Sequence, residues 1–191
     1  SLPKDSDERN RIFFELFEDI LKLAKDGDIF AQNELADMYL GDYGTEEDKE
    51  KGVKWLKKSA ESGHWRSMNK LGNRCYNQGS YEESVEWYKK SFGKDYDWGG
   101  YNLANCYYNG NGVPQNYLKA LELYKEVYDL ENSASGSAAN AIGNVYYRQN
   151  NYEESIEWYN KGIEKNSDWA YYNLANCYYN GNGVKKDKNK A

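Results

Sequence analysis

The side chains able to do chemistry are few, and their spacing suits gripping rather than bond-making. His64 is the single histidine. It stands in GHW between two helical stretches and reads as a solvated loop residue, with no partner at catalytic or zinc-ligand spacing. Cys75, Cys106 and Cys177 are odd in number and do not pair locally, so they read as buried apolar filler in a reducing setting. Glu82-Glu83 and Glu153-Glu154 could serve as acid and base, but each pair opens a helical stretch, where carboxylates favour the positive dipole end. Gly110-Asn111-Gly112 lacks the preceding strand and third glycine of a dinucleotide fingerprint. The expectation is a protein with no catalytic residues, no metal and no cofactor.

Two other sets suit recognition. Short polar residues recur at one phase: Asp37, Asn73, Asn105, Asn144 and Asn176. Asparagine is a middling helix former, so four such mid-helix positions imply a compensating role. Its amide offers donors and an acceptor, which can grip an extended backbone or bond one repeat to the next. Asn102, Asn140 and Asn173 stand on the same stretches. Arg66, Lys70 and Arg74 follow at i, i+4 and i+8, forming either one basic edge for a partner or a solvated face. Trp98, Tyr101, Trp169 and Tyr172 offer apolar pockets beside them, or pack on the preceding helix. The candidate peptide-binding set is Arg66, Lys70, Asn73, Trp98, Tyr101, Asn102, Asn105, Asn140, Asn144, Tyr172, Asn173 and Asn176.

What positions these residues is a repeat. YNLANCYYNGNGV occupies 101–113 and recurs unchanged at 172–184, and sliding 73–113 onto 144–184 matches 27 of 41 positions. Inside that 71-residue period lies a shorter one, marked by Leu35-Ala36, Leu71-Gly72, Leu103-Ala104, Ile142-Gly143 and Leu174-Ala175, with spacings of 36, 32, 39 and 32. Periods in the thirties signal stacked helical hairpins. The small members of these pairs, together with Gly52, Ser84, Ala120 and Ser155 on the second helices, are expected to face each other at the close approach. In the third unit Leu118, Leu121, Val127 and Tyr128 give the second helix its apolar stripe. The turn between helices is four residues longer in odd units than in even ones: Tyr107 to Ala120 is 13 residues, Cys75 to Ser84 is 9.

LGNRCYNQGSYEESVEWYKKS and IGNVYYRQNNYEESIEWYNKG resemble tetratricopeptide repeats. YNLANCYYNGNGVPQNYLKALELYKEV is similar to a Sel1-like repeat, marked by its Gly-x-Gly-Val turn and Lys-Ala helix, and ADMYLGDYGTEEDKEKGVKWLKKSAESG is a poorer copy. The resemblance covers 29–191. It implies an all-α fold, a right-handed α-solenoid of stacked antiparallel helix pairs whose first helices line a concave groove, and a scaffold or adaptor role. In peptide-holding tetratricopeptide proteins the asparagine after Leu-Gly grips the ligand. Asn73 and Asn144 match that position directly, Asn105 and Asn176 by alignment. With Arg66 and Lys70, Asn73 resembles part of a carboxylate clamp for acidic C-terminal peptides, although Asn33 and Asp37 replace its other lysines.

The expected organisation is an N-terminal capping helix over 1–28, with Phe13, Leu16, Phe17, Ile20, Leu21 and Ala24 on one side. Four and a half repeats follow at 29–64, 65–96, 97–135, 136–167 and an incomplete 168–191. The half-built last unit reads as part of a longer protein and as a possible self-association surface. Lys+Arg number 25 against 31 Asp+Glu, a net charge of −6, which disfavours nucleic acid. No apolar run is long enough for a membrane span. The functional expectation is a cytoplasmic interaction module for a protein or peptide, with an architectural spacer as the alternative.

Overall fold

The computed structural model describes residues 6–41, 46–94 and 96–189. They form ten α-helices: α1 (Ser6–Lys25), α2 (Ile29–Leu40), α3 (Glu46–Glu61), α4 (Trp65–Asn77), α5 (Tyr81–Phe92), α6 (Asp97–Asn109), α7 (Tyr117–Asp129), α8 (Ser135–Arg148), α9 (Tyr152–Glu164) and α10 (Asp168–Asn180). Among the described residues there is no strand. Each helix packs on its neighbours in sequence, and the tightest pairings are α2 with α3, α4 with α5, α6 with α7 and α8 with α9. The fold is an all-α solenoid.

Local chemistry sets the helix ends. Asp28 caps α2 by accepting from the Ala31 amide at 2.7 Å, and Asn116 caps α7 by accepting from the Lys119 amide at 3.0 Å. The duplicated helices α6 and α10 both stop at a left-handed glycine, Gly110 (φ 79°) and Gly181 (φ 80°).

The core is a chain of small clusters threaded between helices. The largest joins Val85 and Tyr88 of α5, Leu103, Ala104 and Cys106 of α6, Ala120, Leu123 and Tyr124 of α7, and Ile142 and Val145 of α8. The buried stripe of α7 is Ala120, Leu123, Tyr124 and Val127, so Val127 is buried as expected and the other three members of the expected stripe are not. Leu118 is 75% exposed, and Leu121 and Tyr128 are only partly buried. The close approach also differs from expectation. A Cβ on Gly72 or Gly143 would lie 2.5 Å from the ring of Tyr88 or Tyr159, so these glycines make room for a tyrosine, although Gly143 also approaches the expected Ser155, whose carbonyl would lie 3.2 Å from that Cβ. Gly52 instead receives Leu40 and Tyr39.

α1 lies on α2 through Phe17, Ile20, Leu21 and Ala24, while Leu16 is 52% exposed; the Phe13 side chain lies outside the described residues. The three cysteines are free and buried, as their reading as filler requires. Burial pushes the Cys106 thiol up to about 11 and raises Cys75 and Cys177, so none is an activated nucleophile.

The long turns of the third and fifth units prove to be clasps. Residues 110–113 reach back onto the preceding pair, where Asn111 donates to the Tyr76 hydroxyl at 2.6 Å and Gly112 sits so close to the Tyr81 carbonyl that no side chain fits. The turn after α10 does the same: Asn182 donates to the Tyr147 hydroxyl at 2.5 Å, and Gly183 abuts Tyr152.

Candidate functional site

Three of the mid-helix asparagines on the inner row are each held by a tyrosine from the second helix of their own pair. The hydroxyls of Tyr88, Tyr124 and Tyr159 donate to Oδ1 of Asn73, Asn105 and Asn144 at 2.8, 2.5 and 2.8 Å. Burial is the main reason these phenols hold their protons: Tyr159 is pushed up to about 12, and Tyr88 and Tyr124 are raised further. They are protonated at neutral pH, and each directs its hydroxyl hydrogen to the Oδ1 of its asparagine.

A second set of bonds joins one pair to the next. Lys70 donates to Asn33 Oδ1 at 3.0 Å and to Asp37 Oδ1 at 2.7 Å. At the equivalent place Asn102 donates to Asn69 Oδ1 at 2.9 Å and Asn73 Oδ1 at 3.2 Å. Asn173 donates to Asn140 Oδ1 at 2.8 Å and Asn144 Oδ1 at 3.1 Å. Between α6 and α8 the corresponding residue is Ala141, which has nothing to donate.

The result is a cleft of about 470 Å³ between α4 and α6, lined by Asn73, Tyr76, Asn77, Tyr88, Asn102, Asn105 and Asn109. Of the sequence candidates it brings together Asn73, Asn102 and Asn105. Asn144 and Asn173 meet in the matching place between α8 and α10. Asn176, also on α10, is half-buried, and its side chain makes no hydrogen bond among the described residues.

The remaining candidates go elsewhere. Lys70 is paired with Asp37, and Arg66 lies over the Trp65 ring at 4.7 Å, so the partial carboxylate clamp is not assembled. Trp98 donates to Ser133 at 2.9 Å and Tyr101 packs against Tyr124 at 5.7 Å, both half-buried in the structure's own interior. Asn140 is 8% exposed beneath Asn173. Tyr172 stands on α10, 60% exposed, beside Trp169 at 71%. Sequence reasoning missed Tyr76, Tyr88, Asn77 and Asn109. The signal for Tyr88 was the repeated EWYKK and EWYNK, whose tyrosine returns at one phase while facing the asparagines.

His64 is also placed differently from its expected solvated loop. It is 3% exposed and caps α4, with Nδ1 accepting from the Ser67 amide at 3.3 Å and lying 2.9 Å from the Ser67 hydroxyl. That hydroxyl lies 3.0 Å from Asn33 Oδ1 and 2.9 Å from Ser59, whose own hydroxyl donates to the Ile29 carbonyl at 2.8 Å. Desolvation, then Lys70 and Arg66, depress the His64 pKa below its ordinary value. A neutral ring is therefore part of the joint between the first two pairs. Among the described residues no group of three or more His, Cys, Asp or Glu could hold a metal ion.

Comparison with known proteins agrees with this architecture. Residues 29–64 and 101–132 match the Sel1 repeat, 66–92 the tetratricopeptide repeat and 143–181 the TPR repeat. A sel1-like repeat-containing protein of Acanthamoeba polyphaga mimivirus is 33% identical over 124 residues, 62% of this chain and 23% of the relative. An exopolysaccharide production negative regulator of Rhizobium leguminosarum bv. viciae is 36% identical over 69 residues, 36% of this chain and 26% of the relative. The chain thus spans about a quarter of the length of these curated relatives. A protective antigen of uropathogenic Escherichia coli with an SLR fold superposes with TM-score 0.77 at 26% identity, covering 89% of this chain and 38% of that one. A Sel1 repeat protein from Oxalobacter formigenes superposes with TM-score 0.73 at 21% identity, covering 91% and 80%. Among the described residues no helix is long and apolar enough to cross a membrane.

Proposed function

Because this chain is a Sel1/TPR-like repeat protein, a class that generally works as protein-interaction scaffold and is generally non-catalytic, we propose that it holds a peptide or protein segment along its row of first helices. The observation that carries this reading is the cleft at Asn73, Asn102 and Asn105, where hydrogen-bonded amide groups meet solvent in a concavity large enough for several residues of extended chain. Backbone capture by side-chain amides needs no particular ligand sequence, so specificity would come from what flanks the cleft. We place the protein in the cytoplasm, where its three buried free thiols would persist.

Affinity capture with the chain and with a variant carrying Asn73→Ala, Asn105→Ala and Asn144→Ala tests the reading. The variant should lose whatever the parent retains, with only a modest drop in melting temperature as three tyrosines lose their acceptors. Equal retention by parent and variant would remove the cleft from consideration.

One observation favours a second reading. Trp169 and Tyr172 of α10 stay 71% and 60% exposed, whereas their counterparts Trp98 and Tyr101 of α6 are half-buried. A face of that composition suits self-association in an architectural role. Light scattering over a concentration series separates the two, since a chain that stays monomeric throughout is not using α10 to assemble.

A further inference from the structure

The residues of the cleft between α4 and α6 have counterparts 71 positions further along the chain. Asn73, Tyr88, Asn102 and Asn105 correspond to Asn144, Tyr159, Asn173 and Asn176. The bonds recur as well as the letters. Tyr88 to Asn73 and Tyr159 to Asn144 are both 2.8 Å, and Asn102 and Asn173 each donate twice, at 2.9 and 3.2 Å and at 2.8 and 3.1 Å. Even the supports match: Tyr76 meets Tyr81, and Tyr147 meets Tyr152, edge-on at 5.1 Å. Two features differ. Asn105 accepts from Tyr124 at 2.5 Å, whereas the Asn176 side chain has no such partner among the described residues, and one flanking residue changes. Arg148 takes the place of Asn77, and its guanidinium lies 5.1 Å over the Tyr108 ring of the preceding pair.

The wiring of each cleft leaves a defined polarity for a ligand. Asn73 Oδ1 accepts from both Tyr88 and Asn102, so the amide hydrogens of Asn73 are what it offers outward. Asn102 is the reverse: both its hydrogens are committed, to Asn69 and Asn73, and its Oδ1 remains. A donor from one helix thus stands beside an acceptor from the next, the complement of one peptide unit. Every residue lining the first cleft is an asparagine or a tyrosine, uncharged at neutral pH, and Lys70 on the same helix is paired to Asp37. An acidic C-terminus finds no countercharge among the residues that line it.

We propose that the chain carries two equivalent clefts, at Asn73–Asn102 and Asn144–Asn173, and that each takes the same short, uncharged, extended peptide segment. The partner is then a polypeptide in which a Ser/Thr/Asn/Gln/Gly-rich segment recurs, held at two places at once. This rests on the groove reading above and adds to it a stoichiometry and a ligand chemistry. It also gives the duplicated thirteen-residue tract a role beyond packing, because that tract supplies Asn102 and Asn105 to one cleft and Asn173 and Asn176 to the other.

The test is to pan a library of random twelve-residue peptides on the whole chain, then titrate the enriched peptides calorimetrically at about 50 mM and about 500 mM salt. Uncharged polar peptides should be enriched, with two sites of one affinity per chain, and the affinity should change less than about threefold between the two salts. Asn73→Ala and Asn144→Ala should each leave one site. Since both also brace the fold, Asn176→Ala, which breaks no hydrogen bond among the described residues, serves as the variant that folds normally and still loses a site. A tandem peptide long enough to span both clefts should bind about 10²-fold tighter than the single one. A single site per chain, or enrichment of acidic, salt-sensitive peptides, overturns this inference and leaves the groove reading standing. A library that yields no binder overturns the groove reading itself.

Discussion

At the scale of single residues, what the inner row presents depends on groups behind it. Tyr88→Phe removes one of two donors to Asn73 without changing shape, and should lower stability by about 0.5–1.5 kcal/mol in urea titrations. Tyr159→Phe should cost the same within error, because the surroundings are copied, and a large disparity would show that the two sites are not equivalent. His64 gives a pH signature. Its folded pKa is depressed below 6.5, so below that pH the unfolded chain binds more protons than the native one. Stability should therefore fall as pH drops from about 6.5 toward the folded value, and should be at its full level above it. The groups facing the ring are Lys70 and Arg66 on α4 and Glu34 and Asp37 on α2. His64→Asn keeps a capping acceptor and removes the titration, so chemical-denaturation midpoints across pH 5.5–7.5 should flatten in that variant. The asparagine row was legible from phase alone. Its hydrogen-bonding direction was not, because a tyrosine fifteen residues away, as Tyr88 is from Asn73, cannot be oriented from a one-dimensional pattern. His64 misled for a similar reason: a loop position between helices is exposed only when the neighbouring turns do not close over it, and here Phe30 and Trp65 do.

At the scale of elements, the unequal turns are the informative feature. Counting residues reveals that odd units have four extra, yet counting cannot say that the surplus reaches the pair before it. Gly112 makes the point testable. It has φ +73° and abuts the Tyr81 carbonyl, whereas Gly79 has φ +80° with nothing within 4 Å of a would-be Cβ. Gly79→Ala should cost about 1–2 kcal/mol from backbone strain alone. Gly112→Ala should cost more, by the amount needed to displace the clasp, and should loosen α5 relative to α7 in hydrogen exchange. Helix existence and order were readable because small residues, caps and glycine stops recur in register. The stripe of α7 was legible only at Val127, since Leu118 looks like core by hydropathy but falls on the outer side once Tyr124 has taken the place facing Asn105. The outer surface has its own regularity. Lys58, Lys90 and Lys161 lie over Trp55, Trp87 and Trp158 at 4.8, 4.3 and 4.0 Å, so three indoles on second helices are shielded by cations.

At the scale of the whole molecule, each clasp and its neighbouring amide bridge tie an even pair to the odd unit that follows: α4 and α5 to α6, and α8 and α9 to α10. The join between α6 and α8 has Ala141 where the bridging donor would be, and holds instead through Asp97 accepting from Ser133 and the Ala134 amide at 2.9 Å, and through Tyr128 against Trp158 at 5.2 Å. The polymer is thus modular at 71 residues rather than at one hairpin. A slipped crossover between the two identical tracts would excise residues 102–172 and splice Tyr101 directly to Asn173, leaving a chain of 120 (191 less 71) residues. Asn173 would then reach Asn69 and Asn73, and Asn182 would reach Tyr76, as Asn102 and Asn111 do now. Such a shortened protein should be helical and melt cooperatively, and the same join run in reverse would lengthen the array at the cost of one new fit, Tyr171 where Gly100 now lies against Val127.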